Sequence, residues 1–105
     1  MPYNNIVVIG ASSGGVQALQ ELVRSLPTDL GAPVLVVQHI GNSIVSLLPD
    51  ILNRVGGMLA VHPQDGEEIR PSRIYVAPSD HHLTIEDGLV RLLRGPKEQP
   101  PSSLD

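Results

Sequence analysis

The chain has 105 residues, enough for one domain or a piece of one, and its 7 basic and 11 acidic residues leave a net charge of −4. This charge offers no basic surface to a nucleic-acid backbone, so we expect no nucleic-acid partner. The absence of cysteine excludes disulfides and thiolate metal sites. No apolar run suggests membrane insertion and the first residues do not resemble a signal peptide, so we expect a cytoplasmic protein.

The first 38 residues have a strand, helix, strand pattern. Residues 5–10 (NIVVIG) form an apolar run, typical of a parallel strand that helices bury on both faces. Apolar residues then recur at helical spacing over residues 16–26, and Pro27 ends the helix. A second buried strand follows at residues 33–38 (PVLVVQ). The pattern predicts a right-handed crossover unit whose two parallel strands are neighbours.

The rest of the chain predicts one more helix and several short strands. The helix lies within residues 41–57; it is capped by Asn42 or Ser43 if Pro49 kinks it, or by Ser46 if Pro49 occupies its first turn. Strand-like segments follow at residues 58–63, 72–78 and 82–93, and Asp87-Gly88 in the last is typical of a two-residue hairpin turn. Residues 95–105 contain three prolines and predict loop or disorder.

These elements predict an α/β fold of three layers, with a mainly parallel sheet, flanking helices and a late antiparallel hairpin. The joint between the first strand and helix, Gly10-Ala11-Ser12-Ser13-Gly14, fits the G-x-S-x-G pattern, in which glycines allow a sharp turn that exposes the middle serine. Ser12 is therefore a candidate nucleophile. The backbone N–H groups of Ser13 and Gly14 are candidates to bind an oxyanion at the helix N-terminus.

A serine nucleophile needs a base, and the spacing offers His39. His39 lies two residues beyond Val37, as Ser12 lies two beyond Gly10. If the two strands are parallel neighbours, about 4.8 Å apart, Ser12 and His39 leave the same edge of the sheet side by side. The simpler alternatives are a phosphate-binding turn at the glycines and a capping or surface role for the histidine.

A dinucleotide site fits the residues less well. The opening resembles the short-chain dehydrogenase fingerprint, but Gly14-Gly15-Val16 lacks the glycine that the motif requires next. No charged ribose-binding residue follows the second strand, and no Tyr-x-x-x-Lys pair occurs because Lys97 is the only lysine. A P-loop is excluded because no Gly-Lys-Ser/Thr follows the turn.

Four segments together resemble the catalytic domain of CheB-type chemotaxis receptor methylesterases. They are VVIGASSGG, VLVVQHI, DGEEIRPSRIYVAPSDHHL and the closing GP loop with PPSSLD, and the resemblance runs from about Ile6 to Asp105. It implies a Ser-His-Asp hydrolase that removes methyl groups from glutamyl methyl esters on receptors, releases methanol and can deamidate glutamines. It implies Ser12 as nucleophile, His39 as general base, and a Ser13 hydroxyl able to orient the imidazole.

Two features of that family have no counterpart in the 105 residues. The family's catalytic aspartate lies in a later glycine-rich loop, and its receiver domain precedes the catalytic domain. We therefore expect a partial domain, over residues 1–105, with at best feeble activity, since loss of a triad carboxylate costs roughly 10⁴ in rate. We also expect a methylated receptor as partner, with the receiver domain or the missing C-terminal half as others, and oligomers through an unpaired sheet edge.

The remaining polar residues carry weaker signals. Asp80, His81 and His82 follow an Ala-Pro pair, and a metal site there has little support without cysteine. The resemblance favours His82 as a residue at the rim of the substrate site. His62 is interpreted as a strand-end residue and the acidic turn at residues 65–68 as solvated. No cofactor or metal is expected; the alternative to an esterase is a catalytically silent signalling module, and a nucleotide-binding domain comes third.

Overall fold

A computed structural model describes residues 5–39 and 42–94 of the chain. The strands are β1 (Val7–Ser12), β2 (Val34–His39), β3 (Leu59–Val61), β4 (Arg73–Val76), β5 (His81–Glu86) and β6 (Leu89–Arg94). The helices are α1 (Val16–Ser25), which a short 3-10 turn at Ser13–Gly15 precedes, and α2 (Asn42–Val55). The loop predicted at residues 95–105 lies outside the described residues.

Four strands form a parallel sheet in the order β1, β2, β4, β3. The predicted strand, helix, strand unit is confirmed, because β1 and β2 are parallel neighbours with Val7 opposite Val34. Strands β5 and β6 pair antiparallel in a separate two-stranded sheet. The predicted α/β fold with a late hairpin is thus confirmed, although the hairpin packs as a layer of its own and does not extend the parallel sheet.

Both helices cover the same face of the parallel sheet. Leu19 and Val23 of α1 and Leu48 and Leu52 of α2 are almost fully buried there. They pack against alternate residues of the strands, including Val34, Val36, Ile74, Val76 and the half-buried Val7, Ile9 and Ala11 of β1. Burying branched apolar side chains of this kind stabilises the fold by about 1.5 to 3 kcal/mol for each residue. This is the larger of the two cores.

The hairpin covers the opposite face over β2 and β4. Leu83 and Val90 pack there with Leu35, Tyr75 and Ala77, whose side chains project from the sheet on that side. The hairpin leaves β1 uncovered, and Val8 is 61% exposed. The expectation that helices bury both faces of the first strand is therefore wrong for the residues that the structure describes: there the helices cover one face, and β1 alternates between half-buried and exposed residues.

The hairpin turn forms where Asp87-Gly88 predicts it. Asp87 has φ +55° and Gly88 has φ +80°, so both central residues take the left-handed conformation of a type I′ turn. A type I′ turn matches the right-handed twist of the two strands, and this places β5 and β6 in register from His81 opposite Arg94 to Glu86 opposite Leu89. The hairpin prediction is confirmed.

Helix α2 takes the longer of the two predicted forms, with Pro49 in its interior and not in its first turn. It ends at Val55, before the two glycines that predict its end. Gly56 is needed for space, because a Cβ there would lie 2.8 Å from a methyl carbon of Val23 and 3.0 Å from its carbonyl oxygen. The glycine thus lets the end of α2 approach α1 closely.

The side chain of Asn53 joins α2 to the outer edge of β3. Its Nδ2 donates to the Ala60 carbonyl over 3.1 Å, and the Ala60 N–H donates to its Oδ1 over 2.8 Å. One amide thereby satisfies both backbone groups that Ala60 presents away from β4.

No helix in the described part of the chain is long and apolar enough to cross a membrane.

Candidate functional site

The two strand ends that carry Ser12 and His39 lie side by side. Ser12 is the last residue of β1, His39 is the last residue of β2, and the two are register partners in the parallel pair. Partners in neighbouring strands are about 4.8 Å apart. The register expected from the equal two-residue offsets is therefore the one that forms, with Gly10 opposite Val37.

The backbone at Ser12 is extended and unstrained. Its φ is −126° and its ψ is 175°, and the chain turns only afterwards, through the 3-10 turn into α1. The chain makes this turn without backbone strain, since none of the glycines at the joint has a positive φ. Ser12 is exposed, as the pattern predicts, and its hydroxyl makes no capping hydrogen bond to the helix.

A groove of about 230 Å³ adjoins Ser12 along the outer side of β1. It is lined by residues 9–12 of β1 and by Gly15, Ala18, Leu19 and Leu22. Among these lining residues Ser12 has the one hydroxyl, so the groove is an apolar surface with a single polar group at one end. A Cβ on Gly15 would lie 3.7 Å from the Ser12 hydroxyl oxygen, whereas Cβ atoms on Gly10 and Gly14 would meet nothing within 4 Å.

Gln38 anchors the end of β2 next to His39. Its Nε2 donates to the Ala77 carbonyl over 3.0 Å, and the Ala77 N–H donates to the Val36 carbonyl over 2.9 Å. The end of β2 is therefore bonded to the end of β4 through a side chain as well as through the backbone. Gln38 lies in the segment VLVVQHI that resembles the family, but the sequence alone gives it no part; the structure shows that it braces the strand end that carries His39.

The residues after the Ala-Pro pair lie on the hairpin layer. His82 is exposed on the outward face of β5, opposite Leu93, while His81 Nδ1 lies 2.7 Å from the Ser79 carbonyl oxygen. Asp80 has φ +63°, a conformation that aspartate tolerates in a loop. Within the described ranges, no three His, Asp or Glu side chains gather in a way that could hold a metal ion.

The composition of the acidic turn at residues 65–68 predicts that it only faces solvent, but the structure gives it further contacts. Asp65 Oδ1 accepts the Leu92 N–H over 2.7 Å and lies 3.3 Å from Nε of Arg91. The segment also pairs with β6 through the backbone, because the Gly66 N–H donates to the Val90 carbonyl and the Val90 N–H donates to the Glu67 carbonyl. It therefore holds the hairpin in place, and the interpretation as a solvated turn is incomplete.

Sequence reasoning also missed the contacts of His62. Its Nδ1 lies 3.0 Å from the Val76 carbonyl oxygen and its Nε2 lies 3.0 Å from the Val45 carbonyl oxygen. A lone histidine before a proline gives no sign of these partners, which are 14 and 17 residues away. Pro49 is a signal for one of them, because a proline inside a helix leaves the carbonyl four residues earlier, here that of Val45, without its N–H partner.

The fold and the strand ends define an α/β domain in which a serine and a histidine are register partners at the carboxyl edge of a parallel sheet. A family model described as CheB methylesterase matches residues 7–104. The chain is similar to the crystal structure of the Thermotoga maritima CheB methylesterase catalytic domain, with a TM-score of 0.76 and 34% identity. That match covers 89% of this chain and 50% of the other. The chain belongs to the CheB methylesterase family.

Two curated relatives share the name protein-glutamate methylesterase/protein-glutamine glutaminase. The protein from Halalkalibacterium halodurans is 41% identical over 96 residues, which are 90% of this chain and 28% of that protein. The protein from Maricaulis maris is 30% identical over 96 residues, which are 91% of this chain and 24% of that protein. The chain therefore spans only about a quarter of the length of these relatives, and half of the solved catalytic domain.

Proposed function

We propose that residues 1–105 are the N-terminal part of a CheB-type methylesterase domain that hydrolyses glutamyl methyl esters on chemotaxis-type receptors. The same site would deamidate receptor glutamines. Because the proposed substrate is the cytoplasmic region of the receptor, the proposal includes a cytoplasmic location. The register of Ser12 with His39, in a chain that matches the family over residues 7–104, is the observation that carries this proposal.

The chemistry follows from the roles that these groups suit. The Ser12 hydroxyl oxygen attacks the ester carbonyl while the His39 imidazole accepts its proton. The N–H groups of Ser13 and Gly14, at the start of the turn that leads into α1, are placed next to Ser12 in the chain and would stabilise the oxyanion. His39 then passes the proton to the methanol leaving group, and water hydrolyses the acyl-enzyme with His39 as base.

The open groove and the glycines suit an ester on a protein surface. The apolar walls at Ala18 and Leu22 would receive the aliphatic part of a glutamyl methyl ester, and the empty space above Gly10 and Gly14 leaves room for its approach. His82, exposed on the hairpin layer, is proposed as a rim residue that contacts the receptor and takes no part in proton transfer.

We propose that the carboxylate of the triad lies beyond position 105. A carboxylate is needed to hold the imidazole in the correct tautomer, and its absence costs roughly 10⁴ in rate. The uncovered side of β1 supports the proposal that the rest of the domain packs here. Val8 is 61% exposed and Val37 is 36% exposed, and among the described strands β1 pairs with β2 alone. The receiver domain would precede the domain and control access of the receptor.

The test is methanol release from a methylated receptor fragment by the longest product that the gene encodes. Ser12→Ala should lower release by roughly 10⁴-fold or more. Ser25→Ala is the matched control, because this exposed hydroxyl donates to the Leu22 carbonyl of its own helix, and activity should be kept. Release by the Ser12→Ala protein at the unsubstituted rate would contradict the proposal.

A catalytically silent signalling module is the second candidate, since the chain covers 50% of the solved catalytic domain. A fluorophosphonate probe separates the two functions because it labels only an activated serine. Labelling of Ser12 in the long product supports the esterase. Equal binding of receptor peptide by the unsubstituted and Ser12→Ala proteins, with no labelling of either, supports the silent module.

A further inference from the structure

Pro49 leaves a buried helix carbonyl without its usual partner. In an α-helix the N–H of residue 49 would donate to the carbonyl of residue 45, and proline has no N–H. Val45 is 1% exposed, so solvent does not replace the missing donor. A buried carbonyl in this position needs another hydrogen-bond donor.

A second proline leaves a similar gap at the end of β4. The N–H and C=O of Ala60 both bond Asn53. The backbone N–H and C=O groups of the two neighbouring residues, Leu59 and Val61, therefore point toward β4. Continued by two residues, this ladder would bring the N–H of residue 63 to the Val76 carbonyl. Residue 63 is Pro63, which has no N–H to donate.

The imidazole of His62 lies between the two carbonyls. Nε2 is 3.0 Å from the Val45 oxygen and Nδ1 is 3.0 Å from the Val76 oxygen. Both partners are acceptors; the neutral ring donates to one of them in each tautomer, and the doubly protonated ring donates to both. We call this arrangement the His62 bridge: the Val45 carbonyl, the His62 ring and the Val76 carbonyl.

The His62 bridge reaches the candidate base from two sides. Helix α2 begins at Asn42, three positions after His39, and the bridge holds the carbonyl of Val45 in its first turn. On the other side, Val76 precedes Ala77, whose carbonyl accepts from Gln38. Gln38 and His62 therefore hold the successive carbonyls of residues 77 and 76, and they connect this end of β4 to Gln38 before His39 and to Val45 after it.

We propose that His62 is a positioning residue for the reaction: it donates the hydrogen bond that Pro49 cannot, and thereby fixes the start of α2 and the strand end at His39. The inference rests on the proposed function for its effect on rate, whereas its structural basis does not depend on catalysis. His62 itself touches no reacting group.

The test is a double-mutant cycle of His62→Phe and Pro49→Ala in the longest product of the gene. Phenylalanine fills the space of the ring without a donor, and alanine at position 49 restores the helix N–H. His62→Phe alone should lower the folding equilibrium constant by about tenfold to a hundredfold, and should lower it far less in the Pro49→Ala background. Equal losses in both backgrounds would overturn the His62 bridge.

His81→Phe is the matched control, because His81 also lies against a carbonyl but within its own loop, at Ser79. Its effect should be the same in the protein that keeps Pro49 and in the Pro49→Ala background. Coupling of His81→Phe to Pro49→Ala as strong as that of His62→Phe would show that the cycle reports general destabilisation, and would overturn the assignment.

The positioning role is read from kcat at a temperature where every variant is fully folded. His62→Phe should lower kcat about tenfold or more with KM unchanged, and Pro49→Ala should recover most of the loss. An unchanged kcat would overturn the role.

If the unsubstituted protein releases no methanol, the proposed function fails. Amide hydrogen exchange at residues 44–48 then decides: faster exchange in His62→Phe, slowed again by Pro49→Ala, supports the inference, and unchanged exchange overturns it.

Discussion

The two faces of the parallel sheet are covered to different extents. On one face α1 and α2 pack over all four strands, and β1 contributes Val7, Ile9 and Ala11 to that core. On the other face the hairpin covers β2 and β4, while Val8 stays 61% exposed. Val8 on the open face is apolar like the β1 residues of the core, so this part of the strand is suited to burial on two sides. The difference leaves the Val8 side of β1 open among the described residues.

The largest effect on stability is expected on the helix face. Leu52→Ala removes a fully buried side chain from the centre of that core, and we expect a loss of about 2 to 5 kcal/mol in the free energy of unfolding. Urea denaturation measures it. Leu47→Ala on the same helix is the control, because Leu47 is 53% exposed and its removal should change stability by less than about 0.5 kcal/mol. Similar losses for both would contradict the core described above.

Val8→Ser tests whether the open part of the other face is covered in a longer chain. In the 105-residue chain we expect a change within about 0.5 kcal/mol, since the side chain is already exposed. In a longer product of the gene we expect a loss of about 1.5 to 3 kcal/mol, because an apolar side chain would be replaced at a buried position. Equal effects in both lengths, measured by denaturation, would show that nothing covers this face.

Gly88→Ala should weaken the hairpin that covers part of the second face. Gly88 has φ +80°, a conformation in which a Cβ costs about 1 to 2 kcal/mol. Gly10→Ala serves as control, because Gly10 has an ordinary φ and a Cβ there meets nothing within 4 Å. Thermal unfolding should place the Gly88 variant clearly below the Gly10 variant; the reverse order would argue against the type I′ turn.

The smallest effect concerns alkaline pH. Burial against the hairpin raises the pKa of Tyr75 above 10.0, although the hydrogen bond from the Arg70 N–H opposes the shift. The unfolded chain then loses the proton first, so this stability is fully present below about pH 10 and falls as the pH rises toward the folded pKa. The slope is at most about 1.4 kcal/mol per pH unit. Denaturation between about pH 8 and 11 should show it, and Tyr75→Phe should flatten it; an equally steep profile for Tyr75→Phe would contradict it.

Much of the architecture follows from local signals in the sequence. The Asp87-Gly88 turn and the register of Ser12 with His39 depend on spacing within or between adjacent elements, and spacing is visible in a sequence. The position of the hairpin cannot be predicted in this way, because no local sequence pattern indicates which face of the sheet it covers. The partners of His62 are harder to see, since they are backbone carbonyls 14 and 17 residues away that lack their usual donors because of Pro63 and Pro49.

Candidate site residues divide in the same way. Ser12 and His39 could be found because a nucleophile and a base each follow an apolar strand by the same number of residues. The part of Gln38 could not, since its hydrogen-bond partner is the Ala77 carbonyl, 39 residues away. The catalytic roles of Ser12 and His39 stay predictions until the serine variant is assayed.

The hydrogen bonds between Asn53 and Ala60 determine at which edge of the sheet a further strand can pair. On the outer side of β3 a side-chain amide already occupies the N–H and C=O that a further strand would pair with. On the outer side of β1 no described strand is present. The side chain of Asn53 therefore blocks the β3 edge of the sheet, whereas no described strand pairs with the outer side of β1. Any strand that joins the sheet, from this polypeptide or another, is directed to the β1 edge next to Ser12.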